Sequence, residues 1–187
     1  FDADDATLAY RQFGRGPALV LVHGFPLHGF TWRKVLPALA ERFTCYVVDL
    51  AGLGESRWTA TTDFGFLGHA RRLKALADAL HLDAYSVLAH DTGATVARCL
   101  ARADAGRVRH LVLINTEIPG HRPPWIREYQ FLMRLPGTTF TFRQLLRSSW
   151  FVRSGLGFGG CVTDLALLDG DFHAAFVART SRRAPVP

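Results

Sequence analysis

The chain has 187 residues, 49% of them hydrophobic and 20% charged, which suits a soluble globular domain with a buried core. No apolar run approaches the roughly 20 residues that span a bilayer, and the opening FDADDATLAY is acidic where a secretory signal is basic, so neither a membrane protein nor a signal peptide is expected. The formal charge of +6 comes from scattered arginines, with Lys34 and Lys74 the only lysines; without a basic block and interleaved aromatics, nucleic acid is not an expected partner.

In chain order, Thr7–Phe13 reads as an antiparallel edge strand ended by Gly14-Arg15-Gly16-Pro17. Ala18–Val22 is a short apolar run and reads as a buried strand, followed by helical spacing over Trp32–Glu41. The alternation repeats: strand Phe43–Val48, helix His69–Leu80, strand Tyr85–Ala89, helix Ala94–Ala103, strand Val108–Ile114. Strand, helix, strand in this rhythm predicts an α/β fold, a mostly parallel sheet flanked by helices on both faces. From Pro119 the character changes. Gly120-His121-Arg122-Pro123-Pro124-Trp125 is a loop because adjacent prolines remove backbone donors. Beyond it Ile126–Leu135, Phe140–Ser149 and Val162–Thr180 carry helical spacing around a glycine-rich turn at Gly155–Gly160. The expected domains are 1–118 and 119–187. Cys45, Cys99 and Cys161 lie far apart, so neither a disulfide framework nor a metal site is expected, and a reducing, cytoplasmic compartment fits.

The turn His90-Asp91-Thr92-Gly93 joins a strand to a helix at the carboxyl end of the sheet, where open α/β sheets bind ligands. A nucleophile held at such a turn needs small residues two before and two after it, because strand and helix approach closely there. Centred on Asp91 the flanks are Ala89 and Gly93; centred on Thr92 they are His90 and Ala94, and an imidazole does not suit the crowded position. Asp91 is therefore the expected nucleophile. A carboxylate attacks without being deprotonated, but the ester it forms needs a histidine and an acid to activate water. The turn alone leaves a second reading open, Asp91 as a helix N-cap. Backbone amides of Thr92 and of Phe25, in the strand-end turn His23-Gly24-Phe25-Pro26, are candidate oxyanion donors, aided by the positive end of the helix. His23 is counted beside them as a binding candidate, or as a structural histidine bonded to neighbouring backbone. Asp49-Leu50-Ala51-Gly52-Leu53-Gly54-Glu55-Ser56 is expected to shape a loop.

HGFP, DLAGLGES and AHDTGA, in this order on successive strand ends, resemble the α/β-hydrolase superfamily over Leu8 to Asn115, and the HDxG turn resembles its epoxide hydrolase and haloalkane dehalogenase branch. The resemblance implies an Asp nucleophile, an ester intermediate, a water activated by His and an acid, a helical cap over the pocket, and no cofactor or metal. Dehalogenases of this kind commonly place Trp after the nucleophile and Asn in the HGxP turn. Thr92 and Phe25 stand here, which is more like epoxide hydrolases, whose cap tyrosines protonate the opening ring. Tyr129 resembles the first such tyrosine, although one aromatic on an amphipathic helix serves packing equally well. Trp125 and its apolar neighbours suggest a small hydrophobic substrate.

For the acid, the resemblance leads to Asn115, which carries no charge, or to Glu117 two residues on. Family histidines follow the last strand, and neither His121 nor His173 matches that position. The sequence is therefore expected to be C-terminally incomplete, its last strands missing and the sheet edge exposed. The function expected is an epoxide hydrolase-like hydrolase; the alternatives are a haloalkane dehalogenase-like hydrolase and an α/β-hydrolase-like binding scaffold.

Overall fold

Alternation within the strands sends successive side chains to opposite faces of a sheet that is covered on both sides. In the computed structural model, which describes residues 1–116, 120 and 125–177, the chain divides into two units at Glu117/Ile118. The first runs β1 (Asp2–Ala3), β2 (Ala6–Thr7), β3 (Tyr10–Phe13), β4 (Ala18–Val22), a 3-10 turn at Gly29–Lys34, α1 (Leu36–Ala40), β5 (Thr44–Val48), β6 (Arg57–Trp58), α2 (Phe66–Ala79), β7 (Tyr85–His90), α3 (Thr92–Ala103) and β8 (Val108–Ile114). The main sheet has the order β3-β5-β4-β7-β8, with β3 antiparallel and the other four strands parallel. A small antiparallel sheet, β1-β2-β6, stands beside it.

Val20, Val22, Val48 and Val87 face α2 and α3, packing on Leu73, Leu76, Val96 and Leu100, while Leu19, Leu21 and Val47 face Trp32 in the 3-10 turn and Leu36 and Leu39 of α1. This two-sided burial is why β4 and β5 read as unbroken apolar runs. β8 differs. Leu111 and Leu113 pack on the α2/α3 side, whereas Val112 and Ile114 are 50% and 40% exposed, and among the described residues β8 pairs with β7 alone.

In the first unit two predicted elements change. Thr7–Phe13 is two strands, because Leu8 turns into the core and Ala9 bonds outside the ladder: its N–H donates to Ser56 Oγ at 2.9 Å and its carbonyl accepts from Asp49 N at 2.9 Å. Trp32–Glu41 is a 3-10 turn and a short helix, because Pro37 has no N–H to bond the carbonyl four residues back.

At the other end of β7, the buried Tyr85 hydroxyl donates to Asp104 Oδ2 at 2.7 Å, and Arg107 Nε donates to Asp104 Oδ1 at 2.9 Å. Burial, together with this acidic partner, raises the Tyr85 pKa, so the phenol stays protonated. Tyr85→Phe should cost about 1.5–3 kcal/mol, the range for hydrogen bonds to charged groups. Urea denaturation measures it, and an unchanged midpoint would contradict the assignment.

The second unit holds α4 (Trp125–Arg134), α5 (Thr138–Leu146) and α6 (Ser149–Arg153). Leu146, Phe151, Val152 and Leu168 form its core with Phe142, Phe158, Val162 and Phe172 against them. Of the helical spacing expected over Val162–Thr180, residues 178–180 lie outside the described residues, and the rest forms short turns at Leu165–Leu168 and His173–Val177; Asp164 Oδ1 caps the first, accepting from Ala166 N at 2.9 Å, and Gly170 at φ 57 interrupts the run. Among the described residues no helix is long and apolar enough to cross a membrane, and no His/Cys/Asp/Glu group is arranged to hold a metal ion.

Candidate active site

β4 has parallel neighbours on both sides, β5 and β7, and the chain leaves it first toward one and later toward the other. That reversal opens a crevice at the carboxyl ends of β4 and β7, the usual ligand position in such sheets. The β4 turn His23-Gly24-Phe25 and the β7 apex Asp91 meet there. Asp91 has φ 54 and ψ −132, a conformation that L-residues adopt only under constraint. Several contacts impose it. Its N–H donates to Ile114 O at 3.0 Å, and its carbonyl accepts from Ala94 N at 2.9 Å. α3 then passes so close to β4 that a Cβ on Gly93 would collide with His23 O and lie 2.9 Å from Val22 O. Ala89 is completely buried. Asp91 occupies the N-cap position of α3, but its carboxylate makes no capping bond to the helix.

The carboxylate lies against the β4 turn. A Cβ on Gly24 would collide with Asp91 Oδ2 and lie 2.9 Å from Asp91 Cγ, so only glycine fits beneath it. Phe25 N–H donates to Thr92 Oγ1 at 2.9 Å, and Thr92 Oγ1 donates to Asp91 Oδ2 at 3.4 Å. Phe25 is an exposed residue, and its amide is engaged by the Thr92 hydroxyl.

A buried frame holds this turn. His23 has no exposed surface; its Nε2 accepts from Leu50 N at 2.9 Å, which leaves the proton on Nδ1, and Nδ1 donates to Gly24 O at 3.0 Å. Asp49 Oδ1 accepts from Gly29 N at 2.6 Å and Oδ2 from Glu55 N at 2.9 Å, and Ser56 Oγ donates to Asp49 O at 2.6 Å. Asp49 thus shapes the loop after β5. Both ring nitrogens of His23 are occupied by backbone, so it offers nothing to a bound molecule; its place as a binding residue is corrected to that of a brace between the β4 and β5 turns.

Burial pushes the His23 pKa down to about 4, outweighing the favourable pull of Gly24 O and Asp49. The unfolded chain therefore binds a proton near pH 6.5 that the folded chain refuses until about pH 4, and stability falls as pH drops through that window. Burial lowers His69 in the same direction. The loss from His23 should be on the order of 3 kcal/mol. An NMR titration in which the His23 imidazole protonates near pH 6.5 would contradict it.

The structure brings Asp91, Thr92 and Phe25 together with His23 behind them. Trp125 and Tyr129 lie on α4 of the second unit, with their side chains outside the described part. Glu117 and His121 are outside the described residues. Asn115, at φ 45, directly follows β8 at the same sheet edge. Two features had no clear sequence signal: Gly24 as the floor under the carboxylate, and the Thr92 hydroxyl as a link to a residue 67 positions away.

The profile of the alpha/beta hydrolase fold matches residues 17–151. The chain belongs to this family. Similar relatives include haloalkane dehalogenase 2 of Mycobacterium tuberculosis, 34% identical over 116 residues, 62% of this chain and 41% of that protein. A soluble epoxide hydrolase of Corynebacterium sp. is 39% identical over 111 residues, 59% of this chain and 38% of that protein. Among solved structures, ligand-free epoxide hydrolase CorEH superposes with a TM-score of 0.78 at 27% identity, covering 93% of this chain and 64% of that one. The chain thus spans about two fifths of the length of these curated relatives.

Proposed function

We propose that this α/β hydrolase opens epoxides by nucleophilic attack of Asp91, and that its substrate is a small hydrophobic molecule. The observation that carries the reading is the Asp91 conformation: a strained apex residue, packed by Gly24 and Gly93, whose carboxylate does not cap its helix. Strain of this kind persists where surrounding structure imposes it, and it clusters at reacting groups. In the proposed step an Asp91 oxygen forms a bond to a ring carbon, the ring C–O bond breaks, and its electron pair stays on the ring oxygen, which takes a proton. The product is a hydroxyalkyl ester of Asp91. Tyr129 is proposed as the proton donor and Glu117 as the acid that supports ester hydrolysis; no cofactor takes part. His23 is not the water-activating base, because both its nitrogens are committed to backbone.

The similarity to haloalkane dehalogenase 2 favours a second reading, attack on a carbon–halogen bond with halide release. Epoxide is preferred because Phe25 has no side-chain donor for a departing halide, and the Thr92 hydroxyl is directed to Asp91. Intact-mass measurement after incubation with 1,2-epoxyhexane or 1-bromobutane, followed by peptide mapping, tests both. The expected result is an adduct on Asp91 from the epoxide. An adduct from the bromide alone reverses the preference. No adduct from either, with the fold intact, leaves a binding scaffold as the better description.

A further inference from the structure

The net charge of the chain is not shared evenly between its two units. The first carries 13 basic and 12 acidic residues, whereas the second, Ile118–Ala184, carries nine arginines against four acidic residues and so holds five of the six net positive charges. The same unit presents large apolar side chains to solvent. Phe131 on α4 is 66% exposed, Phe140 on α5 67% and Trp150 on α6 74%. Helical spacing sets arginines among them. On α4, Arg127, Phe131 and Arg134 recur at i, i+4 and i+7 and are all exposed, with Leu132 and Leu135 along the neighbouring stripe. On α5 the core side is marked by Phe142 and Leu146, which turns Phe140 to the opposite side, and the exposed Arg147 follows seven residues on. Arg153, three residues after Trp150, is paired with Asp169 Oδ2 at 2.7 Å, and Glu128 is the one acidic residue between Trp125 and Arg153.

We infer that α4, α5 and α6 form a peripheral docking surface for an anionic phospholipid bilayer. Helices that carry arginine together with exposed Phe, Leu and Trp lie in the plane of such a surface: the rings sink to the level where headgroups meet acyl chains, and the guanidinium groups stay with the phosphates. Charge complementarity selects this occupant. A second copy would bring two positively charged units together, and like-charge repulsion opposes that. A nucleic acid would pair with the arginines and stack on the aromatic rings, but Leu132, Leu135 and the 84% exposed Leu156 have no flat face to stack and suit hydrocarbon instead. The attachment lies on the bilayer rather than across it, since among the described residues no helix is long and apolar enough to span. The surface belongs wholly to the second unit and does not depend on the reading of Asp91.

Flotation of the full chain with lipid vesicles tests this. At low salt the chain should float with vesicles of phosphatidylcholine and phosphatidylglycerol in equal parts and stay behind with phosphatidylcholine alone. Salt at about 1 M, where the Debye length is about 3 Å, should release it. Arg127→Gln combined with Arg134→Gln should weaken the partition about 25-fold, about fivefold for each arginine at the surface. Arg11→Gln combined with Arg15→Gln removes the same charge from exposed positions of the first unit and should leave the partition nearly unchanged. Phe131→Ser should cost about tenfold through lost apolar burial, and Phe140→Ser takes the same measurement should Phe131→Ser fail to fold by circular dichroism. No flotation with the anionic vesicles, equal flotation with both kinds, or equal loss from the two arginine pairs overturns the inference. Tighter binding to single-stranded oligo(dT) than to the anionic vesicles also overturns it and makes the surface one for nucleic acid, and a dimer in sedimentation that Phe140→Ser dissociates overturns it in favour of a second copy.

Discussion

Asp91→Asn should abolish the covalent adduct, lowering the rate of ester formation by at least roughly 1,000-fold. The substitution removes the negative oxygen that makes the new bond, and His23 cannot replace it because it is buried and doubly hydrogen-bonded. Folding should survive, since the Asp91 side chain makes no cap bond to α3 and Asn tolerates positive φ better than most residues. Asp91→Gly separates strain from chemistry. It should be equally inactive yet more stable by about 1 kcal/mol, because relief of a strained φ/ψ worth about 1–3 kcal/mol exceeds the backbone entropy cost of glycine. Thermal melts and intact mass on the same samples read both effects. An adduct that persists in Asp91→Asn and maps to another residue would contradict the nucleophile assignment.

Gly93→Ala should be a strongly damaging single-methyl change at the candidate site. The added Cβ collides with His23 O and lies 2.8 Å from His23 C and 2.9 Å from Val22 O, all backbone atoms of a central strand end and its turn. None can rotate aside as a side chain would. α3 must move away from β4, opening the contacts of Ala94 and Ala97, which are completely buried. A cost of about 3 kcal/mol or more follows from overpacking at a site with no room to relax. Gly106→Ala is the control: nothing lies within 4 Å of its Cβ, and it should be neutral or slightly stabilising. Equal urea midpoints for the two variants would contradict the packing argument.

The turn containing Asp91 was legible because close packing leaves a compositional trace. Ala89 and Gly93 fit around Asp91 but not around Thr92, and both positions are as crowded as that pattern requires. Strands Ala18–Val22 and Val108–Ile114 were legible with their ends because each is a short apolar run stopped by a turn residue. Local pattern was insufficient where a distant partner decides the backbone. Pairing of Arg57–Trp58 with Ala6–Thr7 creates β6, and Ser56 and Asp49 hold Ala9 out of its ladder.

From the sequence alone came the alternation that makes a parallel sheet, the order of the strand-end motifs and the placing of Asp91, not Thr92, at the apex of the β7–α3 turn. All three depend on periodicity or on residue size at fixed spacing, which a linear chain records. Tertiary structure alone decided that His23 braces the β4 turn, that Gly24 underlies the carboxylate, and that the Thr92 hydroxyl bridges Phe25 and Asp91. These depend on atoms brought within a few ångströms across β4, β5 and β7, and sheet order, which sets those neighbours, leaves no periodic mark in the sequence.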